Sequence, residues 1–85
     1  MNIQLRFFAS VREALGTAQE DINVPEHVRT VGDVRDFLRQ RGGAWAEVLA
    51  EGRALRMACN HQMTEPATSL SEGCEVAFFP PVTGG

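Results

Sequence analysis

The stretch TVGDVRDFLRQRGG, residues 30–43, carries the strongest helix signal in the chain. Thr30 can cap a helix here, because Asp33 stands at the third helical position, as in a capping box. The apolar residues of the stretch follow the helical period: Val31, Val34, Phe37 and Leu38. Gly42 and Gly43 are expected to end the helix. The pattern predicts one main helix that packs on a sheet through this apolar stripe.

The sequence before the helix predicts two strands. Ile3, Leu5 and Phe7 fall on alternate positions, which is the period of a strand with one buried face. Residues 19–24 predict a second strand, which the following proline should end. The segment SVREALG, residues 10–16, is too short for an independent helix, so we expect a one-turn connection. The two strands are predicted to form a hairpin with an extended loop.

The sequence after the helix predicts two further strands. Residues 44–52, AWAEVLAEG, are typical of a short helical turn, with Trp45 expected in the core. Alternation in residues 55–60 predicts the third strand, residues 65–73 a loop, and residues 74–79 the last strand. This order predicts an α+β fold, with one main helix across one face of a mixed sheet.

The composition narrows the classes of function. The chain has 85 residues and a net charge of -3, and its 8 basic residues are all arginines scattered along the sequence. We therefore expect one domain at residues 1–81, a short tail at 82–85 and no nucleic acid partner. No apolar stretch approaches the ~20 residues of a membrane span, and the first residues lack the pattern of a signal peptide. We expect no membrane association and a cytoplasmic location.

The cysteines and histidines form no metal motif. Cys59 and Cys74 have neither a CxxC nor another metal-type spacing, and both are expected to be buried, reduced thiols. His27 and His61 each stand without a second ligand at helical spacing. We therefore predict no metal site and place both histidines at the surface.

Two aromatic residues fall on the wrong parity for the core. Phe8 follows Phe7, and Phe79 follows Phe78, so the second residue of each pair faces away if the first faces the core. Exposed aromatic side chains in a cluster usually mark an interface. Met63 is a candidate third member. The alternative is a strand end misplaced by a few residues, or a second small apolar cluster under the loop.

The last six residues, PPVTGG, have the properties of an arm. Pro80 and Pro81 cannot donate to a ladder and should end the last strand. Gly84 and Gly85 have no side chains to block a narrow channel. ATP could convert a terminal carboxylate to an acyl-adenylate, which a sulfur or nitrogen nucleophile could then attack. The alternative is an idle, frayed end.

Three stretches carry a resemblance to a known family. Residues 5–16, LRFFASVREALG, residues 30–42, TVGDVRDFLRQRG, and residues 73–85, GCEVAFFPPVTGG, resemble the small subunits of molybdopterin synthase. These subunits are sulfur carriers with a ubiquitin-like β-grasp fold. The last stretch is the most specific, since a bare terminal Gly-Gly is shared by several sulfur carriers and ubiquitin-like modifiers. The resemblance implies a mixed β-sheet with one main α-helix packed on one face.

The resemblance also implies a reaction cycle at the C-terminus. An E1-like adenylyltransferase would use ATP to adenylate Gly85, and a sulfurtransferase would then supply sulfur to give a thiocarboxylate (1-thioglycine). Val82, Thr83 and Gly84 would enter the large subunit of the synthase, where the sulfur passes to cyclic pyranopterin monophosphate. The small subunit would hold no permanent cofactor and would be catalytically incomplete alone. The family's complex is a heterotetramer of two small and two large subunits.

The resemblance assigns a docking role to five residues: Phe8, Met63, Phe79, Pro80 and Pro81. Two other functions stay open. The chain could carry sulfur for thiamine, tungsten-cofactor or amino-acid pathways, or it could be a ubiquitin-like modifier attached to lysines of other proteins. The chain has no lysine of its own, so it cannot form lysine-linked chains of itself.

Overall fold

The fold is built on one mixed β-sheet. The computed structural model describes residues 1–81. The strands are β1 Asn2–Phe7, β2 Gln19–Asn23, β3 Arg56–Cys59, β4 Gln62–Met63 and β5 Glu75–Phe79. They lie in the order β2-β1-β5-β3-β4, in which β1 and β5 are parallel and the other neighbours are antiparallel. The first and the last of these strands are therefore neighbours in the middle of the sheet.

Three helices accompany the sheet in the described chain: α1 Ala9–Leu15, α2 Val31–Arg39 and α3 Ala44–Val48. The predicted main helix is α2, and Thr30 and Asp33 form the predicted capping box. The Asp33 N–H donates to Thr30 Oγ1 (3.1 Å), and the Thr30 N–H donates to Asp33 Oδ2 (3.2 Å). The helix ends at Arg39, ahead of Gly42 and Gly43, whose positive φ angles turn the chain toward α3.

The core lies between the helices and one face of the sheet. Ile3, Leu5 and Phe7 of β1 and Val76 and Phe78 of β5 are almost fully buried on that face. The stripe of α2 covers them with three fully buried side chains: Val31, Val34 and Leu38. Each such side chain stabilises the fold by about 1.5–3 kcal/mol through burial. The predicted α+β architecture, with one main helix on one face of a mixed sheet, is confirmed.

The segment after β1 is more helical than the sequence predicted. The helix α1 has seven residues, where a one-turn connection was expected. Gly16 ends it as expected, in the left-handed conformation (φ 74°), and its N–H donates to the Arg12 carbonyl (2.9 Å). Val11 is buried in the core. Because short helices gain most of their stability from tertiary packing, local propensity underestimates this one.

A two-residue strand, β4, was missed by the sequence analysis. It follows β3 after a tight turn in which Asn60 and His61 have φ angles of 50° and 69°. Two residues are too few to display an alternating pattern, so β4 has no periodic signal in the sequence.

The loop before β5 holds the start of α2. The Val31 N–H donates to the Thr68 carbonyl (3.0 Å), and the Gly32 N–H donates to the Pro66 carbonyl (2.9 Å). These bonds satisfy N–H groups that the first turn of a helix leaves without intrahelical partners. The close approach depends on Gly32, because a Cβ at this position would lie 3.0 Å from Pro66 Cβ.

Trp45 covers one side of the core. Its ring meets the Phe7 ring edge to face at 5.5 Å, and it is half-buried rather than enclosed. The Arg41 guanidinium lies over the outer face of the indole, 4.4 Å from its centroid, and also pairs with Glu20 on β2. The predicted core role of Trp45 therefore holds for one face of its ring.

Candidate functional site

The face of the sheet opposite α2, called the open face below, brings several predicted residues together. The strand register places four side chains in one row across β1, β5, β3 and β4: Arg6, Ala77, Ala58 and Met63. Arg56 of β3 lies beside Phe79 of β5 in the neighbouring row. These rows follow directly from strand parity, because successive residues of a strand point to opposite faces.

Phe8 and Phe79 form an aromatic pair at one side of the open face. Their rings meet edge to face with centroids 6.3 Å apart. Phe8 is 42% exposed, and Phe79 is half-buried. The Phe8 N–H donates to the Phe78 carbonyl (3.2 Å), which extends the pairing of β1 with β5. The two aromatic side chains that parity predicted to face away from the core are therefore in contact there.

A shallow groove of about 600 Å³ lies beside the aromatic pair. Ala58 and Ala77 form its floor, since their methyl groups leave space that larger side chains would fill. Pro80 and Pro81 line the same groove. The chain that continues beyond β5 therefore starts at the groove.

A charged cluster lines another part of the groove. Glu75 lies between two basic groups, with Oε1 3.6 Å from Arg6 Nη1 and Oε2 3.5 Å from His61 Nδ1. The Glu75 side chain is 16% exposed, whereas those of Arg6 and His61 are 41% and 82% exposed. The Arg6 guanidinium also lies 5.8 Å from the centroid of the Phe8 ring. One carboxylate thus connects the charged cluster to the aromatic pair.

The charged cluster was not predicted from the sequence, which assigned no site role to Arg6, Glu75 or His61. A signal existed for two of them, because Arg6 shares the parity of Phe8 and Glu75 shares that of Phe79. His61 lies at the surface as predicted, but only the turn into β4 brings it to this face. The Asn60 side chain fixes that turn, since its Oδ1 accepts a hydrogen bond from the Glu75 N–H (2.9 Å).

The remaining predicted site residues divide into two groups. Met63 lies on β4 opposite Ala58 and is 59% exposed, which makes its flexible thioether available for apolar contacts. The residues predicted for tail insertion and for chemistry lie outside the described residues: Val82, Thr83, Gly84 and Gly85.

Cys59 and Cys74 are both free thiols, and they lie toward the covered face of the sheet. Cys74 is buried as predicted, whereas Cys59, at the end of β3, is only half-buried. Burial, together with the nearby Cys74, raises the pKa of the Cys59 thiol above its usual range. A thiol with a raised pKa is a poor nucleophile at neutral pH. The geometry thus gives Cys59 no role at the open face.

Metal-binding and membrane-spanning features are lacking in the described part of the chain. Over residues 1–81, no group of three or more histidine, cysteine, aspartate or glutamate side chains could hold a metal ion. No helix in the same range is long and apolar enough to cross a membrane.

Comparison with known proteins places the chain in a family. The model of the ThiS family matches residues 5–85. The molybdopterin synthase sulfur carrier subunit of Escherichia coli is 40% identical over 83 residues, which cover 98% of this chain and 99% of that protein. The protein of the same name from Haemophilus influenzae is 37% identical, with the same coverage of both chains.

A solved structure has the same fold. It comes from the protein-protein complex of subunits 1 and 2 of the molybdopterin-converting factor of Helicobacter pylori. The superposition covers 100% of both chains, with a TM-score of 0.68 and 23% sequence identity. Because the family model spans nearly the whole sequence and full-length relatives accompany it, the chain belongs to the ThiS family.

Proposed function

We propose that the chain is the sulfur-carrier subunit of a molybdopterin synthase, and that Gly85 carries the sulfur as a C-terminal thiocarboxylate. The observation that carries this proposal is the family match, which extends through Gly85. Two relatives that align with 98% of this chain are both named as molybdopterin synthase sulfur carrier subunits. The terminal stretch EVAFFPPVTGG supports the same pathway over those of other sulfur carriers.

The proposed loading reaction has two steps. A carboxylate oxygen of Gly85 attacks the α-phosphorus of ATP on an E1-like adenylyltransferase, and pyrophosphate leaves. A sulfide equivalent delivered by a sulfurtransferase then attacks the acyl carbon. A C–S bond forms, the C–O bond to AMP breaks, and AMP leaves with the electron pair. Neither step changes an oxidation state, so the product is 1-thioglycine without an added oxidant or reductant.

The proposed transfer reaction takes place on the large subunit. The thiocarboxylate sulfur attacks a side-chain carbon of cyclic pyranopterin monophosphate that carries an oxygen substituent; the C–S bond forms as the C–O bond breaks, and the oxygen leaves with the electron pair. Water then attacks the acyl carbon, the acyl C–S bond breaks with its electron pair going to the sulfur on the pterin, and Gly85 returns to the free carboxylate. Two carriers supply the two sulfur atoms of the dithiolene, in a heterotetramer of two small and two large subunits. The glycines at 84 and 85 suit this task because they add no side chains to a narrow channel.

The open face supports docking to the large subunit. It combines the Phe8–Phe79 pair, an apolar groove and the exposed Met63, and exposed aromatic and methionine side chains are enriched at interface cores. Pro80 and Pro81 line the groove. A partner that covers the groove would therefore also meet the point from which the tail departs.

Mass spectrometry tests the proposed function directly. After incubation with ATP, the adenylyltransferase and a sulfur donor, the chain should gain the mass of one oxygen exchanged for sulfur. Deletion of Gly85 should abolish this gain while circular dichroism and large-subunit binding stay near those of the intact chain. An unchanged mass would overturn the carrier function. Attachment of the chain to lysines of other proteins, without sulfur gain, would favour the modifier function instead.

A further inference from the structure

Two arginines on the open face have N–H donors that form no hydrogen bond within residues 1–81. Among residues 1–81, the Arg6 guanidinium donates no hydrogen bond, and its ion-pair partner Glu75 Oε1 lies 3.6 Å from Arg6 Nη1, which is longer than a hydrogen bond. Arg56 is exposed beside Phe79, and no hydrogen bond or ion pair engages its side chain in this part of the chain. Both guanidinium groups can therefore offer several N–H donors to a partner.

Glu75 restrains the side chain of Arg6 in a position from which it can bind a partner. Its carboxylate is largely covered and lies between Arg6 and His61, so it restrains Arg6 on the open face beside Phe8. The single long contact does not exhaust the planar fork of the guanidinium, which can bind a second carboxylate in a bidentate way. Arg6 is thus held in position by one internal carboxylate while most of its donors stay available.

The charge around the groove and the aromatic pair differs from that of the whole chain. The chain carries a net charge of -3. Around the groove and the aromatic pair, two arginines stand against one carboxylate, so the local balance is positive. Arg6 on β1 and Arg56 on β3 lie two strand spacings apart, roughly 10 Å, with β5 between them. They therefore lie on opposite sides of β5, with Arg6 beside Ala77 and Arg56 beside Phe79.

We propose that Arg6 and Arg56 determine partner specificity. They select a large subunit that fills the groove with an apolar segment and presents one carboxylate to Arg6 at the groove and another to Arg56 beside Phe79. The inference deepens the proposed docking role and rests on it. Charge complementarity of this kind raises the association rate and rejects basic competitors, because like charges placed together repel. Arginine beside aromatic residues is also the composition that concentrates binding energy at interfaces.

Charge reversal of either arginine tests the proposal. Arg6→Glu and Arg56→Glu should each raise the Kd for the large subunit encoded in the same genome by about tenfold or more. Added salt should weaken the binding of the intact chain to the large subunit more than the binding of either variant, because screening removes an attraction that the variants have already lost. Arg29→Glu makes the same charge change at an exposed loop position before α2, so it should bind like the intact chain. Arg6→Gln provides a milder change if Arg6→Glu fails to fold.

The outcomes separate this inference from the proposed function. If the intact chain gains sulfur and binds the large subunit, but Arg6→Glu and Arg56→Glu bind equally well, the specificity role is overturned and the carrier function stands. Phe8→Asp should then still abolish binding, which locates the interface. If the intact chain forms a dimer that Arg6→Glu dissociates, the occupant of the face is a second copy of the chain. An intact chain that neither gains sulfur nor binds would overturn both proposals.

Discussion

Ala9 adopts a backbone conformation that residues with side chains rarely occupy. Its φ is 50°, immediately after the exposed Phe8, and it lines the groove of the open face. The left-handed conformation costs such a residue about 1–2 kcal/mol, while a glycine adds about 0.4–1 kcal/mol of chain entropy to the unfolded state. Ala9→Gly should therefore raise the free energy of unfolding by up to about 1 kcal/mol, measured by urea denaturation.

A second alanine of α1 provides the control for this prediction. Ala14 is exposed in the same helix and is not among the residues with positive φ. Ala14→Gly should lower the free energy of unfolding by about 1 kcal/mol, the usual cost of glycine inside a helix. Equal losses in the two variants would contradict the strain at Ala9.

For single residues, the parity of a strand position predicts the direction of the side chain but not how deeply it is buried. It placed Phe8 on the open face and Leu5 in the core, because the strand period alone decides these directions. It could not foresee that Cys59 would be half-buried, because parity gives the face to which a side chain points but not how completely the side chain is covered there. Nor could it bring His61 to Glu75, because that contact depends on a turn with two positive φ angles.

The contact between α2 and the loop that precedes β5 leaves little room for a side chain at Gly32. A Cβ there would lie 3.0 Å from Pro66 Cβ and 3.1 Å from the Pro66 carbonyl oxygen, which also accepts the Gly32 N–H. Alanine favours a helix by about 1 kcal/mol over glycine, but overpacking costs typically 1–3 kcal/mol. Gly32→Ala should therefore lower the free energy of unfolding by up to about 2 kcal/mol in chemical denaturation.

Gly52→Ala is the matched control for Gly32→Ala. No atom lies within 4 Å of the position that a Cβ at Gly52 would occupy, and its φ is not among the positive ones. The free energy of unfolding of the Gly52→Ala variant should stay the same or rise slightly. A Gly32→Ala variant as stable as Gly52→Ala would mean that the loop yields easily and does not clamp the helix.

Among the elements, local signals decide which ones the sequence reveals. The helix α2 could be predicted because its capping box and apolar stripe are both encoded within 30–43. The helix α1 was underestimated because the buried Val11 stabilises it through tertiary contact. The strand β4 has no periodic signal at all, because it has only two residues. Local sequence patterns do not predict the elements that are stabilised by contacts with residues far away in the sequence.

At the scale of the whole molecule, strand order creates the candidate site. Phe8 and Phe79 are separated by most of the sequence, and they meet because β1 and β5 are parallel neighbours. Alternation identified both strands but contains no information on which strands pair, so the contact was conditional on their being neighbours. The same order places Arg6 and Arg56 on opposite sides of β5. The site is therefore a property of the topology more than of any single motif.

Two carboxylates stabilise the fold through hydrogen bonds, one between distant segments and the other at the start of α2. Glu20 on β2 accepts a hydrogen bond from Arg41 Nη1 (3.0 Å), and this bond lowers the pKa of the Glu20 carboxyl. Asp33 accepts backbone hydrogen bonds from Arg29 (3.0 Å) and Thr30 (3.2 Å), which lower the pKa of its carboxyl in the same direction. The first tethers an edge strand to the segment after α2, and the second fixes the start of that helix.

Acid should therefore weaken the fold through these two groups. Because each pKa is lower in the folded than in the unfolded chain, their stabilising contribution is fully present above the ordinary carboxyl pKa of about 4 and disappears as pH falls below it. The Tm should be nearly constant from neutral pH down to about pH 5 and decline on further acidification. Glu20→Gln and Asp33→Asn should have lower Tm values at neutral pH and a shallower decline in acid, so their curves converge with that of the intact chain. Parallel curves for all three proteins would mean that other carboxylates govern the acid response.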